Sequence, residues 1–468
     1  MFTNHPLVHF YENADGHSEF MPTDVLRDAL YLALRELPLL FGHIKDTNDG
    51  NAAIVVDKSN LNEPDFQESA STVHYRAIKN ARYNWDIWPQ SVATAGPATA
   101  PGTDGTVKLV NVHVVRLAEN SGVILFCNIP HYVVDGVGYY EFLAHWAALC
   151  RCRCRASHAE QLEGITFNFD RRRLAASLQG PRRPLDPVTR DILLNRSVIS
   201  RLLTCLSFAT RTRLVAMTMG FNYGQGHFFR VSGAALDELQ RMVKRTQGEQ
   251  ELSSYSLLAA LFRMAVSQAQ MQPREPAGMV ARTMAAATSV IARLLSNPDA
   301  PHMLLNIVHT YRLLPPTANT YIGNNIYLCP VNICTKQLQH CTDAETFGRI
   351  AMQIAQAVEG IDRPLLGEFY DTVCTHPHAY ANFSSFMSAQ PTALSVIDER
   401  HYRTSSADFG DGGPAWISGL PRHMPNFVAI FASSASAGGA DIYVSLKEPV
   451  VKAMLKNPFF TAHAELLF

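Results

Sequence analysis

Two hydrophobic periods alternate along the chain. Between residues 23 and 37, Leu26, Leu30, Ala33, Leu34 and Leu37 recur at the spacing that gathers apolar side chains on one helix face. Thr23 is placed to cap that helix and Pro38 to stop it. The period then shortens. VKLVNVHVVRL (107–117) and GVILFCNIP (122–130) are rich in β-branched residues and read as strands. Helical spacing returns with Tyr139, Phe142, Leu143 and Trp146.

The second half repeats the theme. The strand HFFRVS leads to a helix marked by Leu236, Leu239, Met242 and Val243. Ser253 or Ser254 opens a longer one through Leu257, Leu258, Leu261 and Met264. TDAE, from Thr342, is a capping box ahead of Phe347, Ile350, Ile354 and Val358. FVAIFAS and ADIYVSLKE are strands near the C-terminal end. Strands and helices interspersed in both halves predict an α/β (α+β) fold with two mixed sheets.

Two stretches interrupt the pattern. Residues 92–106 are small, Gly/Pro-rich and almost uncharged, which reads as an exposed loop. Residues from about Ala156 to Gly226, with RRRLAASLQGPRRPLDPVTRD inside, read as a long crossover. The expected division is an N-terminal half over 1–160, a crossover over 161–225 and a C-terminal half over 226–468. A chain of 468 residues exceeds what one hydrophobic core usually supports, which agrees.

Composition narrows the partners. Hydrophobic residues make up 47% and charged residues 17%, so a large interior is expected. A formal net charge of −1 lacks the basic field that nucleic acid or an anionic membrane requires. The expected partner is a small molecule. No apolar run reaches the roughly 18–20 residues of a membrane span, and residues 1–20 lack the pattern of a secretory leader. With nine cysteines, an odd number, the expectation is a soluble, cytoplasmic protein with reduced thiols, a monomer.

The candidate chemistry lies in NIPHYVVDGVG. His131 follows an apolar strand, Asp135 stands four residues on, and Gly136 is next. A histidine at a strand end can aim its imidazole into a cleft as a proton acceptor near neutral pH. Asp135 can pair with a cation or cap the following helix, and Gly136 permits a positive φ at the turn. A surface histidine beside a helix cap is the bland alternative. SSADFGDGGPAW, near the C-terminal end, contains Asp408, Phe409, Gly410, Gly412 and Pro414 in a turn-rich loop. It is not a dinucleotide fingerprint, because the third glycine and the strand-to-helix context are missing.

Together these two motifs resemble the BAHD acyltransferases of plants and fungi. LVHFYEN, VLRDALYLALRELPLLFGHI and SSYSLLAALFRMA are similar to further stretches of that family. So is YRLLPPTANTYIGNNI, where Arg312, Pro315, Pro316, Tyr321, Gly323 and Asn324 match. The resemblance implies two pseudo-equivalent domains similar to chloramphenicol acetyltransferase, with acyl-CoA as co-substrate and no bound cofactor or metal. It implies transfer of the acyl group to a hydroxyl or amine of a small specialised metabolite, with His131 as general base. It makes Asp135 structural, paired with Arg312. It puts Asp408 to Pro414 on the CoA side, away from the reacting atoms, and Gly323 and Asn324 near the CoA face.

The chain departs from the family in three places. Asp411 stands where the second motif has tryptophan, Gly413 where a basic residue is usual, and the upstream tryptophan has no equivalent. The oxyanion donor is therefore open among Ser395, backbone N–H groups and a water. Two alternatives accompany the main reading. A condensation-type enzyme would use a carrier-bound donor, but such domains carry histidine where this chain has Pro130. A catalytically lapsed homologue would bind a ligand without turnover. CRCRCR at Cys150–Arg155, near His158, reads as a basic helix end instead of a zinc site. His113, His376 and His378 read as packing or loop residues. The chain has no Gly-x-Ser-x-Gly, P-loop or His-Glu-x-x-His motif.

Overall fold

Two mixed β-sheets face each other, and the side chains between them form the larger core of the protein. The computed structural model describes residues 7–47, 52–93, 106–154, 167–194, 206, 210, 224–271, 302–314, 321–334, 338, 343–376, 379, 392–402, 404–423 and 425–468. The loop read over 92–106 lies mostly outside these residues, as do Thr342, Pro315, Pro316, His158, His378 and parts of the crossover.

In chain order the strands are β1 (Leu7–Glu12), β2 (His43–Asp46), β3 (Ala52–Val55), β4 (Asp65–Ala70), β5 (Asn111–Arg116) and β6 (Gly122–Asn128). They continue with β7 (Gly224–Val231), β8 (His302–His309), β9 (Ile326–Ile333), β10 (Leu394–Asp398), β11 (Trp416–Ser418), β12 (Arg422–His423), β13 (Phe427–Ala432), β14 (Ala440–Leu446) and β15 (Glu465–Leu466). The first sheet runs β11-β1-β6-β5-β4 and the second β12-β7-β14-β13-β10-β8-β9, with β15 on β7. In the second sheet β8, β10 and β13 are parallel, so their carboxyl ends gather at one edge. Strand β11 comes late in the chain yet pairs with β1, Phe10 opposite Trp416.

Alternation along the second sheet sorts its side chains. Leu304, Val396, Val428, Ile430, Ile442 and Phe229 pack outward under helices. Leu305, Ile307, Ile397, Ala429, Phe431, Tyr443 and Phe228 point inward, toward the first sheet. This is the period of two expected of strands. The helices on the outer face include α3 (Gly233–Gln247), α4 (Ser254–Met271) and α5 (Ala344–Glu359). Against the first sheet lie α1 (Thr23–Glu36) and α2 (Gly136–Cys154).

The predicted helix faces are the buried ones. Leu26, Leu30, Ala33 and Leu34 of α1 are almost inaccessible, and each fully buried leucine contributes on the order of 1.5–3 kcal/mol. The Trp146 indole N–H of α2 donates to the Leu26 carbonyl at 2.9 Å. Two capping expectations need correction. Thr23 is the first residue of α1, Pro22 holds the cap position, and the Thr23 hydroxyl instead bonds Glu68 and Arg116. Asp343 caps α5 by accepting from the Thr346 N–H. Ser253 performs the same service for α4, accepting from Ser256.

Candidate active site

The chain leaves β6 at Asn128 and turns sharply, the Val133 N–H donating to the Pro130 carbonyl at 2.8 Å. His131 sits on this turn and is 4% exposed. Its backbone is held from the opposite sheet: the Asn324 side-chain amide donates to the His131 carbonyl at 2.6 Å. Burial pushes the His131 imidazole down to about 4, so the ring is neutral at physiological pH. A neutral, buried imidazole accepts a proton only where the resulting cation finds a developing negative charge.

Asp135 is the hub beneath that turn. Its carboxylate caps α2 by accepting from the Gly138 N–H at 2.9 Å. It also accepts from the Asn325 N–H at 2.9 Å and from the Tyr311 hydroxyl at 3.2 Å. Burial raises its carboxyl to about 6, working against those hydrogen bonds, which favour the charged form. The expected pairing with Arg312 does not occur. Tyr311 and Arg312 are neighbours in a short 3-10 turn, which sends adjacent side chains in different directions. The turn brings the Tyr311 hydroxyl to Asp135 and leaves Arg312 exposed.

Gly136 is a glycine for lack of space, and the positive φ expected there is not found. A Cβ at this position would lie 2.7 Å from the Tyr402 ring and from its hydroxyl oxygen. The Tyr402 hydroxyl in turn bonds His309 Nε2, and its ring packs on Tyr140. His309 ends β8 on the same face as Ile307. Burial first, and then the nearby His131, push the His309 imidazole down to about 4.

In the parallel register Ile307 lies opposite Ile397. His309 ends β8, and Glu399 follows the last residue of β10, one inward position beyond that pair on each strand. Glu399 is 4% exposed, and its Oε2 is buried with no hydrogen-bond partner among the described residues. Burial and then the Asp398 charge push its carboxyl up to about 8. Glu399 lines a cavity of about 240 Å³ together with Phe228, Thr404, Pro414, Trp416 and Ser433. Ser395 is on the inner face as well, level with Leu305. At about 3.3 Å per residue it lies roughly 13 Å short of the Glu399 level.

The second motif reaches the Glu399 cavity only through Pro414. One Asp408 carboxylate oxygen accepts from the Gly410 and Gly412 N–H groups, both at 2.9 Å. Both glycines have positive φ, 129° and 103°, where a side chain would be strained. Phe409 is buried edge-on against Trp146 and Tyr11. The Asp408 carbonyl accepts from Arg151, which is roughly 24 Å along α2 from Asp135. Pro414 then leads into β11. Asp411, where the family has tryptophan, accepts from His17 Nδ1 at 3.0 Å and from the Met21 N–H at 3.1 Å. The acid thus has polar partners of its own.

Gly323 is packed against its own neighbour, since a Cβ there would lie 2.5 Å from the Tyr321 hydroxyl oxygen. His113 is half-buried on β5 and bonds Ser69 at 2.8 Å. His376 closes a helix end, its ring on the Thr372 carbonyl. Among the described residues no group of three or more His, Cys, Asp or Glu side chains is arranged to hold a metal. No helix among them is long and apolar enough to cross a membrane. Sequence reasoning missed Tyr311, His309, Tyr402 and Glu399. The parity of β8 would have put His309 on the inner face, but nothing local marks Tyr402.

Residues 2–203 match the model of the Transferase family, and this bears out the resemblance to the BAHD acyltransferases that the motifs carry. The fold extends the likeness to the whole chain. The structure of F. graminearum TRI101 complexed with coenzyme A and T-2 mycotoxin superposes with a TM-score of 0.72 at 15% identity, covering 100% of this chain and 96% of that one. Vinorine synthase gives 0.57 at 15% identity, covering 99% and 91%. The first condensation domain of the CDA synthetase gives 0.51 at 12%, covering 98% and 89%. No curated protein matches in sequence. The fold is therefore the mixed α/β, two-sheet arrangement of these structures.

Proposed function

We propose that the protein transfers an acyl group from acyl-CoA to a hydroxyl of a small molecule, with His131 as general base. The observation that carries this reading is the placing of His131. It is a buried, neutral imidazole on a turn held from both sheets, and by its motif it resembles the family's catalytic histidine. TRI101 in its complexes with coenzyme A and T-2 mycotoxin or deoxynivalenol gives the class of molecules by analogy: a CoA thioester and a hydroxylated small metabolite.

In this mechanism the imidazole takes the acceptor hydroxyl proton as the oxygen attacks the thioester carbonyl. The new C–O bond gives a tetrahedral oxyanion. Its collapse breaks the C–S bond, and the CoA thiolate recovers the proton from the imidazolium. No acyl-enzyme forms; proximity and proton transfer carry the rate. Burial disfavours the imidazolium in the free protein, so it gains most where the oxyanion stands beside it. Asp135 holds the turn and carries no proton in this scheme.

The experiment is release of free CoA from acetyl-CoA and longer acyl-CoAs with mixed alcohol and amine acceptors. Acyl carrier protein with a pantetheine-linked acyl group is supplied in parallel. Acceptor-dependent release from acyl-CoA supports the proposal. Turnover of the carrier-bound donor alone would replace it with a condensation-type reading, and turnover of neither with a lapsed site.

A further inference from the structure

The family's upstream tryptophan is absent, and Ser395 is set back from the level of His309, so the oxyanion needs another donor. We infer that the Nδ1–H of His309 is that donor, which makes His309 a second catalytic residue facing the thioester carbonyl oxygen. The inference rests on the acyl-transfer reading above.

Two structural ties bring His309 to the His131 turn. Tyr402 packs against Gly136 in the motif and bonds His309 Nε2. His309 also lies opposite Ile326 in the β8–β9 pair, two residues beyond the Asn324 that holds the His131 carbonyl. The protonation state follows from hydrogen-bond logic. Nε2 of His309 is the hydrogen-bond contact of the Tyr402 hydroxyl among the described residues. Nδ1 is buried and has no hydrogen-bond partner among the described residues.

If the phenol donates to Nε2, the neutral ring carries its own proton on Nδ1, and one group is left over. If Nε2–H donates to the phenol oxygen, both the phenol proton and the Nδ1 lone pair are left over. Each buried hydrogen bond left unmade is costly, so the first arrangement wins. It leaves an N–H donor, fixed by Tyr402, beside the base. Such a donor strengthens as the carbonyl oxygen becomes an oxyanion, and it needs no reorganisation.

The chemistry balances without His309 changing charge. The thioester C=O becomes C–O⁻ as the acceptor oxygen adds, and Nδ1–H donates to it throughout. The proton stays on His309 when the C–S bond breaks.

Two measurements test this. Nitrogen-15 NMR of the histidine rings, with His309 assigned by its loss in His309→Asn, reads the tautomer directly. Protonation on Nδ1 at neutral pH is expected, and protonation on Nε2 overturns the inference whatever the activity. The second is CoA release by the native protein, His309→Ala, His309→Asn and Tyr402→Phe. His309→Ala is expected to lower kcat by roughly 10²–10³ while KM for acyl-CoA holds within about threefold. His309→Asn, whose amide N–H reaches near the Nδ1 position, is expected to restore at least about tenfold of that loss. Tyr402→Phe is the milder change and is expected to cost about tenfold in kcat through the freed tautomer. An unchanged kcat in His309→Ala, a loss confined to KM, or an asparagine no better than alanine would each overturn it. Absence of transfer by the native protein would remove the acyl-transfer reading and this inference with it; transfer by the native protein with an indifferent His309 would remove this inference alone.

Discussion

The Asn324 side-chain amide donates to the His131 carbonyl at 2.6 Å, a bond from the lead-in to β9 to the turn after β6. It joins the two sheets at the residue that carries the proposed chemistry. Asn324→Ala removes this clamp on the His131 backbone. Small misplacements of reacting groups are costly, on the order of 10²-fold for 1 Å. The expected result is a fall of about 10–100-fold in kcat, with a stability loss near 1 kcal/mol in a denaturant melt. Asn324→Asp, which lacks the donor, is expected to match alanine.

Asp135 gives a contrast between neighbours. Tyr311→Phe removes a hydrogen bond to a buried carboxylate and is expected to cost about 1.5–3 kcal/mol in stability. Arg312→Ala, one residue along, is expected to fall within about 0.5 kcal/mol of the native protein, with unchanged turnover. Denaturant unfolding of both variants decides this. A severe Arg312→Ala phenotype would restore the ion pair that the sequence suggested.

That ion pair marks the limit of the sequence reading. His131, Asp135, the faces of α1, α3 and α5, and the strands β1, β5, β6, β7, β13 and β14 were legible because each depends on residues a few positions apart. The partner of Asp135 was not, because Tyr311 and Asn325 approach it across 176 and 190 residues. Neighbours such as Tyr311 and Arg312 are told apart only by the turn they occupy. Gly136 was readable as a required glycine, but the reason lies in Tyr402, which approaches from another part of the chain. The pairing of β11 with β1 was likewise hidden, since a strand of three residues carries no periodic signal.

Gly136→Ala places a methyl group 2.7 Å from the Tyr402 ring. Overpacking of this kind costs typically 1–3 kcal/mol. Combined with Tyr402→Leu, whose side chain is smaller, the cost of the alanine is expected to shrink. A double-mutant cycle in thermal unfolding measures the coupling, and strict additivity would show that the two residues do not meet.

Glu399 predicts a pH signature. Its carboxyl, at about 8 in the folded protein, holds a proton that the unfolded chain releases near the ordinary value of 4.5. The folded state binds the extra proton between those values. Its contribution is full below about 4.5 and is lost as pH rises through about 8. Glu399→Gln lacks that slope. Its stability relative to the native protein is expected to increase from pH 5 to pH 9, by up to about 1.4 kcal/mol per pH unit inside the window. Urea melts at both pH values check the sign, and a difference independent of pH would show that Glu399 titrates normally.

The most direct test of the account is acceptor-dependent CoA release by His131→Ala beside the native protein at neutral pH. With His131 as general base, the variant is expected to lose on the order of 10²–10⁴ in kcat while still binding acyl-CoA. Equal release by the two proteins would contradict the proposed role of His131 outright.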